Sequence, residues 1–307
     1  MSPLNLNSRI FSSLSLAVVL WGTNNVGLKY LSNDWPAAGT ASLRFLIAGA
    51  ALLLLLRYGR WLGSLTPLTS QQNRELWWRG ALLLAGFMVC CNVAFRFLPA
   101  SHFALHMAAS PVWALLLEGG FTRSWKTVRQ FAAVALAFSG VGVLLAPTLR
   151  NGEFAILGEL MGLLCGLGWA VYSGQSRRLA QTRSPVEVTA RSMWRAGILL
   201  LPFGGIELWM RPVHPNLLSL SILLYCSLFG AAAAYALWNY ALTQWPSSRV
   251  FLFSNLIPLS TMVAAYGFLR EPLTPTFAWA LLLILFGVLL GVLDIGSIIG
   301  RFWTPED

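Results

Sequence analysis

Acidic side chains are scarce in this 307-residue chain: Asp and Glu together number 11, His 3, and charged residues of both signs reach only 10%. A soluble domain carries roughly 25% charged residues. With 57% hydrophobic residues and a mean hydropathy of +0.66, this chain lacks the polar surface to clothe a water-soluble globule. Long polar stretches are lacking too: the longest connection between apolar runs, 58–76, is too short to fold as a domain. Function must therefore reside in the apolar segments themselves. The four cysteines, Cys90, Cys91, Cys165 and Cys226, lie inside apolar runs without metal-ligand or redox spacing, so neither a metal site nor a cofactor is expected. GxSxG, HExxH and an acidic pair for diphosphate binding are missing, which argues against a membrane enzyme. Lys and Arg number 21 and give a net +10, but they are scattered between apolar runs and form no stripe that a nucleic acid would need.

What is present is a succession of apolar runs. A bilayer core needs about 20 mostly apolar residues per helix. Ten stretches meet that length, at 10–31, 37–57, 77–98, 101–121, 128–147, 154–176, 187–208, 217–242, 247–269 and 274–295. The first run has no small-residue cleavage site and reads as a membrane helix that stays. With a cytoplasmic N-terminus, 13 basic residues fall on the cytoplasmic side (Arg9, Arg57, Arg60, Arg74, Arg79, Arg123, Lys126, Arg129, Arg177, Arg178, Arg183, Arg249 and Arg301). Five fall outside (Lys29, Arg96, Arg150, Arg211 and Arg270), and Arg44, Arg191 and Arg195 lie within spans. The asymmetry predicts both termini in the cytoplasm.

The chain also repeats itself. At a shift of 147, Asn92 meets Asn239, Pro99 meets Pro246, Ser101 meets Ser248 and Pro111 meets Pro258. In the same register Gly120-Phe121 meets Gly267-Phe268, Arg123 meets Arg270 and Gly140-Val141 meets Gly287-Val288. At a shift of 148, Trp21 meets Trp169, Lys29 meets Arg177, and Ala48-Gly49 meets Ala196-Gly197. Matched Pro, Asn and Trp in one register point to internal duplication, with halves 1–150 and 151–307. Five helices per half is an odd number, so the second copy enters the membrane from the opposite side. The expected fold is all-α and integral to the membrane, ten transmembrane helices as two inverted five-helix repeats around a central cavity. Such repeats underlie alternating access in many carriers.

The ten spans, the five-plus-five duplication, the run Val19-Leu20-Trp21-Gly22-Thr23-Asn24-Asn25 and the paired Pro111 and Pro258 resemble the EamA-type drug/metabolite transporter superfamily. The run Trp21-Gly22-Thr23-Asn24-Asn25-Val26 and the tract Leu98-Pro99-Ala100-Ser101-His102-Phe103-Ala104 are most similar to aromatic amino acid exporters of the YddG type. The resemblance covers nearly the whole chain and implies a cavity framed by helices 1–4 and 6–9. It also implies export of amino acids, aromatic or neutral, or of related metabolites across a bacterial inner membrane. Lipophilic cations or drugs are the alternative cargo, and a channel is the alternative class.

Several residues are candidates to line a path. Trp21, Asn24, Asn25 and Leu28 share one helix face, and amides at mid-depth need partners or water. They either hold a solute or bond neighbouring helices. The repeat-related face carries Trp169, Tyr172, Ser173 and Ser176, with Asn92 on helix 3 and Tyr235, Trp238 and Asn239 on helix 8. His102 and His106, one turn apart, are expected at an outward vestibule, where His106 binds solute, senses pH or shuttles a proton, or is a plain hydrogen-bonded vestibule residue. Arg44 and Arg195 either clamp a carboxylate or snorkel, and Arg191 is expected to snorkel. Pro111 and Pro258 are expected inside helices 4 and 9 as kinks or hinges. The glycine row Gly158, Gly162 and Gly166 reads as a packing face. A monomer or weak homodimer in the lipid bilayer is expected. No carboxylate occupies a span centre, so facilitated export down a gradient is the economical expectation.

Overall fold

A computed structural model describes residues 3–59, 63–117, 153–210, 213–245, 250 and 252–292, with short helical stretches at 128–129, 132–133, 135–136, 138–140 and 142–143. The expected fifth span is described only at those stretches. Arg60, Arg123, Lys126, Arg150, Arg211, Arg249, Arg301, Glu118 and Asp294 lie outside the described residues, as do Gly120, Phe121, Val141, Pro246 and Ser248.

The described residues are mostly helical, joined by short irregular connections and without strands. They form α1 (Pro3–Leu31), α2 (Ala37–Tyr58), α3 (Ser70–Phe97), α4 (Ala100–Ala108) and α5 (Ser110–Leu117). There follow α6 (Glu153–Leu179), α7 (Pro185–Met210), α8 (Leu217–Gln244), α9 (Ile257–Leu269) and α10 (Pro275–Val292). Among them α2, α3, α6 and α8 are long and apolar enough to cross a membrane. Local sequence sets the boundaries. Thr69 with Gln72, and Asn216 with Ser219, form reciprocal capping boxes that start α3 and α8. At the other end of α9, Arg270 takes a left-handed conformation at φ 57° and turns the chain out of the helix. Both α3 and α8 are interrupted by a π turn, Leu76–Ala81 and Leu228–Ala233.

The expected fourth helix is broken at Ala109, so that Pro111 is the second residue of α5. A 3-10 turn, Leu252–Leu256, precedes α9, and Pro258 is its second residue. The sequence reading placed both prolines mid-helix. The structure places each in the first turn of a new segment, where its missing N–H has no helical partner to lose. The two segments start at Ser110 and Ile257, related by the 147-residue shift.

Between membrane helices the attraction comes from close packing rather than water exclusion, and glycines set how close the backbones come. α2 and α7 run antiparallel, with Gly39 against Gly204 and Ser42 Oγ donating to the Gly197 carbonyl at 2.8 Å. A Cβ on Gly49 would meet the Trp194 backbone nitrogen at 2.7 Å, and one on Gly197 would meet Leu46 at the same distance. Those two contacts are each other's equivalents at a shift of 148.

α1 packs antiparallel to α8, through Thr23 with Tyr225 and Trp21 with Trp238, and alongside α9, through Gly22 with Ser260. α6 packs antiparallel to α3, through Gly158 with Phe97 and Gly168 with Phe87, and alongside α4 and α5, through Gly162 with His106 and Gly166 with Trp113. Lys29 Nζ and Ser32 Oγ both donate to the Phe95 carbonyl, so α1 and α3 end on the same side. α6 therefore runs opposite to α1. Two carboxylates bind the halves together at that side. Glu207, late in α7, accepts from the Ala38 and Gly39 amides at the start of α2, and Glu271, after α9, accepts from Ala100 and Ser101 at the start of α4. Each neutralises a helix N-terminus.

Candidate substrate site

Where α1, α3, α6 and α8 meet, aromatic rings from both halves form one cluster. Tyr235 of α8 lies edge-on to Trp21 of α1 at 5.4 Å between centroids and to Trp169 of α6 at 6.0 Å. Trp169 also touches Tyr172 at 5.8 Å and Phe87 at 5.4 Å, and Trp21 touches Trp238 at 5.0 Å. Trp21 and Trp169, equivalent in the repeat register, thus contact one tyrosine. Four expected site residues, Trp21, Trp169, Tyr172 and Tyr235, are brought together. The Tyr172 hydroxyl is buried near Ser176, Thr189 and Ser192.

Arg44 borders this cluster. It is 3% exposed, two turns into α2, and its guanidinium reaches three other helices. Nη2 donates to Asn24 Oδ1 of α1 at 3.0 Å, Nε donates to the Cys226 carbonyl of α8 at 3.1 Å, and Nη1 faces the Met88 sulfur of α3 at 3.2 Å. The π turn of α8 begins two residues after Cys226 and disturbs the regular bonding there. No carboxylate among the described residues pairs with Arg44. Burial at mid-helix removes the snorkelling alternative: this is a buried cation held by neutral dipoles.

The amides divide. Asn24 orients Arg44, and Asn25 Nδ2 donates to Thr261 Oγ1 of α9 at 3.1 Å. Asn92 Nδ2 donates to the Ala37 carbonyl at 2.9 Å and ties α3 to the start of α2. Its repeat counterpart Asn239 is buried, with Nδ2 unpartnered among the described residues. His106 does not join the cluster or face a vestibule: it is buried on α4 against Glu159 of α6, with Nε2 and Oε2 2.5 Å apart. The sequence reading found no carboxylate at a span centre and missed this pairing. Arg191 donates from Nε to Glu187 at 2.8 Å and from Nη2 to the Thr66 carbonyl. Arg183 also binds Glu187 and the Thr66 hydroxyl, closing a network over the end where α2 stops. Arg195 donates to Asn73 and the Arg191 carbonyl and stacks on Trp194, 4.4 Å from the ring centre.

The arrangement offers an aromatic surface, a buried guanidinium and amide dipoles at a junction of helices from both halves, with no nucleophile–base pair among them. That is equipment for binding rather than bond breaking. Known proteins agree. The chain is 27% identical to an uncharacterized transporter of Archaeoglobus fulgidus over 87% of this chain and 91% of that relative. It is 26% identical to a protein of Escherichia coli named "Probable amino-acid metabolite efflux pump", over 90% of this chain and 92% of the other. A solved crystal structure shares the fold with a TM-score of 0.63 at 19% identity, covering 96% of this chain and 99% of its own. The profile of EamA-like transporters matches residues 10–146 and again 156–293, and the chain, a multi-pass membrane protein, belongs to the EamA-like transporter family.

Proposed function

We propose that this transporter exports amino acids, aromatic or neutral, or related small carboxylates across the bacterial inner membrane by alternating access. Its moving parts are two inverted five-helix repeats, 1–150 and 151–307, and both termini are cytoplasmic. The observation that carries the reading is Arg44, a buried cation without a carboxylate partner among the described residues, beside aromatic rings drawn from both halves. A solute carboxylate would supply the missing charge, and the rings would take an apolar or aromatic side chain. Repeated family matches, the opposite directions of α1 and α6, and the reciprocal Gly49 and Gly197 contacts support inverted halves. Unequal bonding of Asn92 and Asn239 supports two halves in different states, as alternating access requires. The name of the Escherichia coli relative supports the solute class. An aromatic cage alone would also attract a lipophilic cation, but a buried guanidinium repels one.

Counterflow in proteoliposomes, run with a panel of radiolabelled amino acids, their amides and lipophilic cations, tests the proposal. Saturable exchange of amino acids is the expected result. Exchange of cations alone, or flux that does not saturate, overturns it.

A further inference from the structure

Glu159 and His106 form the most enclosed titratable cluster away from the aromatic site. Both side chains are 0% exposed. The two carboxylate oxygens are shared between imidazoles one turn apart: Oε2 lies 2.5 Å from His106 Nε2, and Oε1 lies 3.5 Å from Nδ1 of His102, which is 23% exposed. Glu159 therefore bridges a buried imidazole and one that reaches toward the surface. Nδ1 of His106 is buried without a hydrogen-bond partner among the described residues. Glycine makes the approach possible, since a Cβ on Gly162 would sit 2.5 Å from the His106 ring and one on Gly166 2.9 Å from its carbonyl oxygen.

Among the described residues, the elements packed on this pair bring few charged groups. On α3, which packs on the same stretch of α6 through Phe97 and Leu98, the charged group is the exposed Arg96. α5 reaches this face of α6 through Trp113, which carries no charge. α4 itself brings His102 and His106, and at its start Glu271 is held by Ala100 and Ser101, with Lys29 of α1 on the neighbouring Phe95 carbonyl. From Ile156 onward α6 carries Glu159 and, at its far end, Arg177 and Arg178.

A carboxylate and an imidazole in contact in a dry site hold one proton between them. Remove it and the carboxylate keeps its charge against a neutral imidazole where water is excluded, at a cost of about several kcal/mol. The closed contact is thus stable with its proton, and His102, partly exposed and 3.5 Å from Glu159, lies on the way from that proton to water. The repeat register adds a comparison. Glu159 corresponds to Phe11 at a shift of 148, and His106 to Phe253 at a shift of 147. Those two residues also touch, edge to face at 5.5 Å, at the opposite end of α1 and α9, where Phe11 is exposed. The equivalent contacts are a titratable pair at one end and a phenyl pair at the other.

We propose that His106 and Glu159 form a proton-binding site whose single shared proton is taken up and released once per transport cycle, so that solute movement is coupled to a proton. The coupling rests on the transporter reading above, and it replaces the expectation of purely facilitated export. The proton needs no further reactant: it passes between water, the carboxylate and the imidazole.

Two measurements test this. In solute-free protein purified in detergent, a pH-indicator dye follows proton uptake after an acid pulse. Wild type is expected to bind one more proton per chain than Glu159→Gln, with His106→Gln as the second variant should the first fail to fold. Equal uptake by wild type and a folded variant overturns the site. In proteoliposomes, an imposed pH gradient is expected to drive accumulation of a counterflow solute by wild type, to lose that effect with nigericin, and to drive none in Glu159→Gln. A gradient response retained by Glu159→Gln, or absent from an exchanging wild type, overturns the coupling. Should wild type exchange no solute at all, the transporter reading itself fails, while the dye measurement still decides the proton site.

Discussion

Arg44 donates to Asn24, to the Cys226 carbonyl and toward Met88, all neutral, in a part of the chain where an unpaired charge is costly. Replacing it by Gln keeps a donor and removes the charge. A hydrogen bond to a charged group is worth about 1.5–3 kcal/mol. Arg44→Gln should therefore weaken exchange of a carboxylate solute by about tenfold or more, while the same solute as its amide is little affected. Counterflow KM values for acid and amide check this. Trp21→Ala and Trp169→Ala should instead penalise both forms, because ring contact does not depend on the carboxylate. Much of this site was legible beforehand: Trp21 and Asn24 share a helix face, and Trp169 and Tyr235 follow from the repeat and from aromatic spacing. The environment of Arg44 was not, because helix position alone leaves both snorkelling and burial open. Pairing across helices was equally hidden, so Glu159 and His106 gave no sign of each other in the sequence.

At the level of helices, α2 crosses α7 closely, since backbone meets side-chain base at Gly49 and Gly197 with no room for a methyl group. Overpacking such a contact costs about 1–3 kcal/mol. Gly49→Ala and Gly197→Ala should each lower the melting temperature in detergent by several degrees, whereas Gly86→Ala, where the added carbon meets nothing within 4 Å, should not. Among the described residues, helix existence and most boundaries were readable from apolar run length. Proline positions were read correctly and their local geometry was not: periodicity continues through Pro111 and Pro258, while the missing N–H restarts the helix one residue earlier. If the breaks serve as hinges, Pro111→Ala and Pro258→Ala should slow transport while leaving counterflow KM near its wild-type value. Unchanged rates would make them static bends.

For the molecule as a whole, the proposed topology puts both termini and the Thr66–Glu187–Arg191 network on the cytoplasmic side. Single cysteines introduced at Ser64 and Asn33, in a background free of native cysteine, should separate. In intact cells an impermeant maleimide should label the Asn33 variant and spare the Ser64 variant. The reverse pattern would invert the orientation. What the sequence could not carry at this scale is how each half leans on the other. Glu207 and Glu271 reach from one half to helix starts in the other, a pairing written in no spacing along the chain.

The contrast between Phe11–Phe253 and His106–Glu159 has a genetic side. Two separate copies of one five-helix gene product, inserted head to tail, would express any mutation at both mouths simultaneously, so acid responsiveness could not be gained at one without burdening the other. Tethered in a single polypeptide, each copy drifts on its own. On the inverted-repeat reading, joining the halves is what frees one mouth to answer to acidity while its counterpart stays greasy.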